Sequence, residues 1–204
     1  MKYKVMIVED QTMPRELFEL RVQASERFEL ALSIDNAALA DVYCLRFPVD
    51  LILMDVITRD GENGLDAAAR IKRAFPQIKI IIVTSMPECS YLKRAKEIGV
   101  ESFWYKEEQR ESLLDVMERT MNGESVYPGA SPELTLGMAS SYQFTERELD
   151  ILREITSGDT NQEIADRLNM SVATVKTHIL NMLEKTGFRN RTELAVRARE
   201  SGLV

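Results

Sequence analysis

Five short apolar runs alternate with helix-like segments over the first 122 residues: VMIV at 5–8, FELALSI at 28–34, LILMD at 51–55, IKIIIV at 78–83 and SFWY at 102–105. This alternation constrains the fold more than any other feature of the chain. Near-continuous apolar runs belong to strands covered on both faces, and strands alternating with helices form a parallel, doubly wound α/β sheet. The segments between them carry helical spacing, as in Ala68, Ile71 and Phe75 or Leu114, Met117 and Met121. In sheets of this kind ligands bind beyond the carboxyl ends of the strands, so the residues following each run are the candidates for chemistry.

Those residues are Glu9 and Asp10 after the first run, Asp55 after the third, Thr84 after the fourth and Lys106 after the fifth. Three carboxylates in one cleft repel one another unless a cation intervenes, and hard oxygen ligands suit Mg²⁺. Lys106 can neutralise phosphoryl oxygens and Thr84 can donate a hydrogen bond to them. The set is therefore suited to holding a phosphoryl group on a carboxylate nucleophile. The alternative is that acids and lysines sit at strand ends because those ends are solvated, which is the better reading of any one of them alone.

Residues 123–142, GESVYPGASPELTLGMASSY, are rich in Gly, Pro and Ser and read as a linker. From 143 to 204 only helical patterns are expected. Thr145 and Glu148 have capping-box spacing, Gly158 ends that helix, Asn161 caps a short helix through Leu168, and Ser171 caps a longer one ending near Thr186. The net charge of −7 disfavours a polyanionic partner, but between Ser171 and Arg191 the bases Lys176, Lys185, Arg189 and Arg191 face the single acid Glu184.

Within that helix Val172, Val175, Ile179 and Met182 form the buried stripe. The opposite face shows Ala173, Thr177, Leu180 and Asn181, flanked by Thr174, Lys176 and His178. These groups can meet base edges, thymine methyls and phosphates in a major groove. A solvated helix surface is the alternative, and it is preferred for Arg197 and Arg199.

At 204 residues the chain can hold one medium and one small domain. The longest apolar stretch, around Val49–Val56, is interrupted by Asp50 and Asp55, so neither a membrane span nor a signal peptide is expected and a cytoplasmic location is. Cys44 and Cys89 lack metal-site or redox spacing and read as reduced thiols.

The ordered set of acidic pair, VDLILMD, IIVTS and FWYK resembles the receiver domains of two-component response regulators over residues 2–122, with their five-stranded flavodoxin-like fold. That resemblance implies that Asp55 accepts a phosphoryl group from a sensor histidine kinase. It implies that Asp10, Asp55 and the Ile57 carbonyl ligate Mg²⁺ with Glu9 acting through water, that Thr84 senses the phosphoryl group, and that Phe103 is the aromatic switch. The segment ITRDGENG departs from the pattern, lacking the usual Met-Pro and running one residue longer before Gly64.

The segment NQEIADRLNMSVATVKTHILNMLEKTGFRNRTEL resembles the NarL/FixJ and LuxR-type helix-turn-helix. By that resemblance Lys176 and Thr177 approach bases, and Thr174, Arg189 and Arg191 touch the DNA backbone. Asn161 faces phosphate, and Leu180 offers an apolar contact beside Asn181. The family implies double-stranded DNA as partner, a homodimer when phosphorylated, and a final helix around Leu194–Ser201 as the dimer face of the DNA-binding domain. Two rivals stand beside this reading. A phosphohydrolase with an aspartyl-phosphate intermediate is opposed by Ile57, which occupies the place of a second acid. A constitutive DNA-binding protein is opposed by the retained Glu9, Asp10, Thr84 and Lys106.

Overall fold

The computed structural model describes residues 2–59, 62–86, 89–106, 112–129 and 133–204, so Asp60 and Gly61 of the ITRDGENG loop and the Cys89 side chain lie outside the described part. Two compact units are present, one built from Met1–Ser85 and Tyr91–Gly129, the other from Met86–Ser90 and Ala130–Val204.

The first unit is a five-stranded sheet of β1 (Tyr3–Val8), β2 (Phe28–Ile34), β3 (Leu51–Met54), β4 (Lys79–Thr84) and β5 (Ser102–Tyr105). Its order is β2-β1-β3-β4-β5 with every pairing parallel. The helices are α1 (Thr12–Gln23), α2 (Ala40–Arg46), α3 (Gly64–Ala74), α4 (Cys89–Ile98) and α5 (Leu113–Met121). Val5, Ile7, Leu51, Leu53, Ile81, Val83 and Trp104 share one core with Phe18 and Val22 of α1 and Leu113, Val116 and Met117 of α5. Leu114 and Met121, expected in the α5 stripe, sit at its margin. The alternate strand residues Met6, Ile52, Met54, Ile80, Ile82 and Phe103 are equally buried, which is why these strands read as continuous apolar runs. Each such side chain contributes about 1.5–3 kcal/mol relative to an exposed one. The strand order reverses at β1 and β3, which puts the ends carrying Glu9, Asp10 and Asp55 at the topological switch point.

The second unit contains α6 (Glu146–Ser157), α7 (Asn161–Arg167), α8 (Val172–Thr186) and α9 (Arg191–Ser201). Ile151, Leu152 and Ile155 of α6 meet Ile164 and Ala165 of α7, Val175, Ile179 and Met182 of α8, and Leu194 and Ala198 of α9. The Thr145–Glu148 capping box and the Ser171 cap form as expected. The cap of α7 is a correction: it is Thr160, whose hydroxyl accepts from the Glu163 amide while the Glu163 carboxylate accepts from the Thr160 amide. The T-x-x-E spacing selects Thr160, because only there can both orphan amides be satisfied reciprocally.

The 123–142 linker is also corrected, at both ends. Val126 and Tyr127 dock along β5, the Phe103 amide donating to the Val126 carbonyl at 2.8 Å. At the other end β6 (Thr135–Leu136) and β7 (Ala139–Ser140) form an antiparallel hairpin whose Leu136 and Ala139 enter the helical core. The hairpin turn caps α8: Gly137 has φ +63° and a side chain there would overlap the Thr186 carbonyl, while the Met138 amide donates to that carbonyl at 3.0 Å. Two-residue strands show no sequence period, and a Gly-rich turn reads as loop. Among the described residues no helix is long and apolar enough to cross a membrane.

Candidate functional site

Asp55 follows β3 at the centre of the sheet, its amide donating to the Val8 carbonyl at 2.9 Å and its Oδ1 accepting from the Val56 amide at 2.7 Å. Glu9 is fully buried and accepts from the Gln11 amide at 3.1 Å, while its carbonyl accepts from Arg15 at 3.0 Å. Carboxylate oxygens of Glu9, Asp10 and Asp55 lie within 4.8 Å of one another. Lys106 bridges two of them, its Nζ donating to Glu9 Oε2 at 2.5 Å and to Asp55 Oδ2 at 2.7 Å. The Lys106 amide donates to the Thr84 carbonyl at 2.9 Å, joining the ends of β4 and β5, and Thr84 is buried at the end of its strand. The strand ends thus bring Glu9, Asp10, Asp55 and Lys106 into one group, with Thr84 tied to it through the backbone.

Burial sets the electrostatics. It raises the Asp55 carboxyl above its ordinary range even though Lys106 pulls the other way. Burial and then the Asp55 charge raise Glu9 as well. Burial pulls Lys106 down, but Asp55 and Glu9 more than offset this and leave its pKa raised, so the ammonium stays charged. Three carboxylates against one ammonium leave two negative charges in excess, which is the charge of one divalent cation. The donors are hard oxygens, so the set fits Mg²⁺ better than a thiophilic metal.

The loop after Asp55 is built tightly. Ile57 bridges Asn63, Thr58 is buried with its hydroxyl accepting from the Ala37 amide at 3.0 Å, and the Gly64 amide donates to the Val56 carbonyl at 2.7 Å. A Cβ on Gly64 would overlap the Asp55 carbonyl oxygen, so glycine here permits the close approach of the α3 start to the acidic residue. Phe103 is buried, with its ring centroid 5.0 Å from that of Tyr105 and 6.4 Å from that of Tyr127.

On α8 the buried residues are Val175, Ile179, Met182 and Thr186, with Val172 partly covered. Ala173, Thr174, Lys176, Thr177, Leu180 and Asn181 are exposed, Leu180 at 55%. The turn before α8 holds Asn169 at φ +53°, a conformation asparagine tolerates better than most residues.

The Response regulator receiver domain model matches residues 5–118, and the model described as Bacterial regulatory proteins, luxR family matches residues 142–198. Among curated relatives, the Response regulator protein VraR of Staphylococcus epidermidis is 33% identical over 100% of both chains. This chain belongs to the luxR-type response regulators. VraR of Staphylococcus aureus is 32% identical over the same full span. In fold this chain is similar to a solved structure of two RcsB dimers bound to two parallel DNAs (TM-score 0.60, 17% identity, 98% of each chain). It is also similar to the response regulator ChrA of a heme-sensing two-component system (TM-score 0.53, 20% identity, 100% of this chain and 99% of that one).

In this response regulator two of the bases counted toward the patch are engaged internally. Lys185 donates to both Glu148 carboxylate oxygens, at 2.8 and 2.6 Å, and to the Gln143 carbonyl at 2.9 Å. Its Nζ also lies 5.8 Å from the Phe144 ring centroid. Arg191 donates to Asn161 Oδ1 at 2.7 Å and to the Asp159 carbonyl, so the structure brings Asn161 and Arg191 together at the base of α7 and α9. Arg189 and Lys176 stay exposed. Leu194 and Ala198 of α9 face the core, leaving Val196 on the open side at 50% exposure. Sequence reading missed the Lys185–Glu148 pair because 37 residues separate the partners and no local period links them.

Proposed function

We propose that this response regulator is switched by phosphorylation of Asp55 from a sensor histidine kinase, and that the switch controls dimerisation and sequence-specific binding of the helical domain to promoter DNA. The observation that carries the reading is the buried Asp55 carboxylate held 2.7 Å from Lys106 among Glu9 and Asp10. An Asp55 oxygen attacks the phosphorus of the donor, an acyl phosphate bond forms, and the donor's own bond to phosphorus breaks. Glu9, Asp10, Asp55 and the Ile57 carbonyl would hold Mg²⁺, which when bound neutralises phosphoryl oxygens. Lys106, already shared between Glu9 and Asp55, keeps one ammonium beside the same oxygens, and Thr84 supplies the hydroxyl that follows the new group. The modification adds a charge of about −1.5 to −2 where two negative charges were already in excess, so the local structure must respond.

On the DNA side, Lys176, Thr177, Leu180 and Asn181 read the groove, with Thr174, Arg189, Arg191 and Asn161 toward the backbone. Since Arg191 and Asn161 already bond to each other, their contribution is a shared, preorganised contact. The open side of α9 around Val196 is the dimer face of this domain, and a cytoplasmic location follows from the DNA partner. The chain turns over no small phosphate ester, because Ile57 supplies no acid two residues after Asp55.

The test compares the parent with Asp55→Ala for DNA binding and dimerisation, with and without acetyl phosphate and Mg²⁺. Tighter DNA binding and dimer formation confined to the phosphorylated parent support the reading. Identical behaviour of the two proteins refutes phosphate control and leaves a constitutive DNA binder.

A further inference from the structure

The segment that leaves α5 does not run free; it lies along β5, the edge strand of the sheet. The Val126 carbonyl accepts the Phe103 amide at 2.8 Å, and the Val126 amide donates to Ser102 Oγ at 3.1 Å. Ser102 Oγ in turn lies 2.7 Å from Thr120 Oγ1 of α5, so a buried polar thread fixes the start of the segment. Tyr127 then turns back onto the sheet edge. Its hydroxyl donates to the Val100 carbonyl at 2.7 Å, its ring centroid is 6.4 Å from that of Phe103, and Lys96 Nζ of α4 stands 5.0 Å from the ring centroid. Burial, and then the nearby Glu101 charge, push the phenol pKa up, so the hydroxyl remains a donor throughout the working pH range.

Phe103 is therefore held twice by the same two residues, its backbone by Val126 and its ring by Tyr127. It lies in register with Ile82, Met54 and Val8 across the sheet, two residues short of the pairing of Thr84 with Tyr105, with Val83 and Trp104 paired between. A buried ring in a close-packed site moves between discrete positions and takes its packing partners with it. Val126 and Tyr127 also begin the chain that continues to the DNA-binding unit.

We propose that Tyr127 is a positioning residue for Phe103: it holds the ring in its buried position in the unphosphorylated receiver, and phosphorylation of Asp55 releases the Val126–Tyr127 strap from β5. The signal then passes into the connecting chain directly, through the backbone that leads to the helix-turn-helix. This rests on the reading that Asp55 is phosphorylated and Phe103 responds.

Beryllofluoride with Mg²⁺, added to the full chain, separates the two propositions by amide NMR and hydrogen exchange. The Asp55 amide reports occupancy of the site; the Phe103 and Val126 amides, whose bonds are the strap, report release. Occupancy with exchange at Phe103 and Val126 accelerated by about tenfold or more is the expected result. Tyr127→Phe keeps the ring and removes only the bond to Val100. It should raise DNA affinity without phosphorylation by about fivefold, the ratio set by one ordinary hydrogen bond. Acetyl phosphate should still label Tyr127→Phe, and the ratio of phosphorylated to unphosphorylated DNA affinity should shrink. A shifted Asp55 amide with unchanged protection at Phe103 and Val126 overturns the strap while leaving phosphorylation intact. No shift at Asp55 overturns both.

Discussion

At the scale of single residues, the site depends on groups whose neighbours leave them no alternative. Gly64 is one: because a side chain would collide with the Asp55 backbone, Gly64→Ala must displace either the start of α3 or the acidic residue. We expect a stability loss of about 1–3 kcal/mol, as for other overpacked sites, with slowed labelling by acetyl phosphate. Normal labelling at unchanged melting temperature would show that the loop yields freely. Cys44 behaves oppositely to a reactive thiol. Burial and then the Asp41 charge push it up to about 11, so it should resist a disulfide reagent at pH 8 in the native protein and react after unfolding. The five strand-end residues were legible in the sequence because the order of strands and the position after each strand suffice to place them. The role of Gly64 was not, since it depends on how closely α3 approaches β3.

At the scale of elements, sequence patterns found every strand of the sheet and each helix of the second unit, because continuous apolar runs and a period of 3.6 over enough residues leave a trace. They failed where the element is shorter than its own period or the partner is remote. The β6–β7 hairpin, the docking of Val126 and Tyr127, and the Lys185–Glu148 pair are all of that kind. The last gives a prediction. Glu148 is a buried carboxylate that caps α6 and holds α8 through Lys185. Burial opposes its charge, but Lys185 and Thr145 win, and its pKa is lowered. A lowered folded pKa means that the stabilisation is complete above the ordinary carboxylate value and is lost as pH falls through the depressed one. Acid unfolding of the helical unit, followed by its own amide resonances, should therefore begin below pH 4.5 in the parent. Glu148→Ala should cost about 2–4 kcal/mol at neutral pH and flatten that dependence. Equal acid stability of the two proteins would contradict the assignment. The same geometry distinguishes two lysines. Lys176→Ala should weaken DNA binding by about 1–3 kcal/mol and relax its sequence preference, as expected for a base contact. Lys185→Ala should weaken binding through helix position and leave the sequence preference unchanged.

At the scale of the whole molecule, an acidic chain of net charge −7 carries a DNA-reading helix, so general electrostatic attraction cannot supply its affinity. On the proposed reading, binding comes from a few exposed groups on α8 and its flanks, presented twice by a dimer. A regulator built this way is weak as a single copy, and a chemical event that controls pairing controls occupancy of DNA. The account places that event on one buried carboxylate. Intact-mass measurement after incubation with acetyl phosphate and Mg²⁺ tests this most directly. The parent should gain the mass of a single phosphoryl group and Asp55→Ala should gain none, with the labelled fraction tracking the fraction shifted to dimer on DNA. A parent that never gains that mass from a competent donor, or an Asp55→Ala protein that gains it equally, would contradict the account.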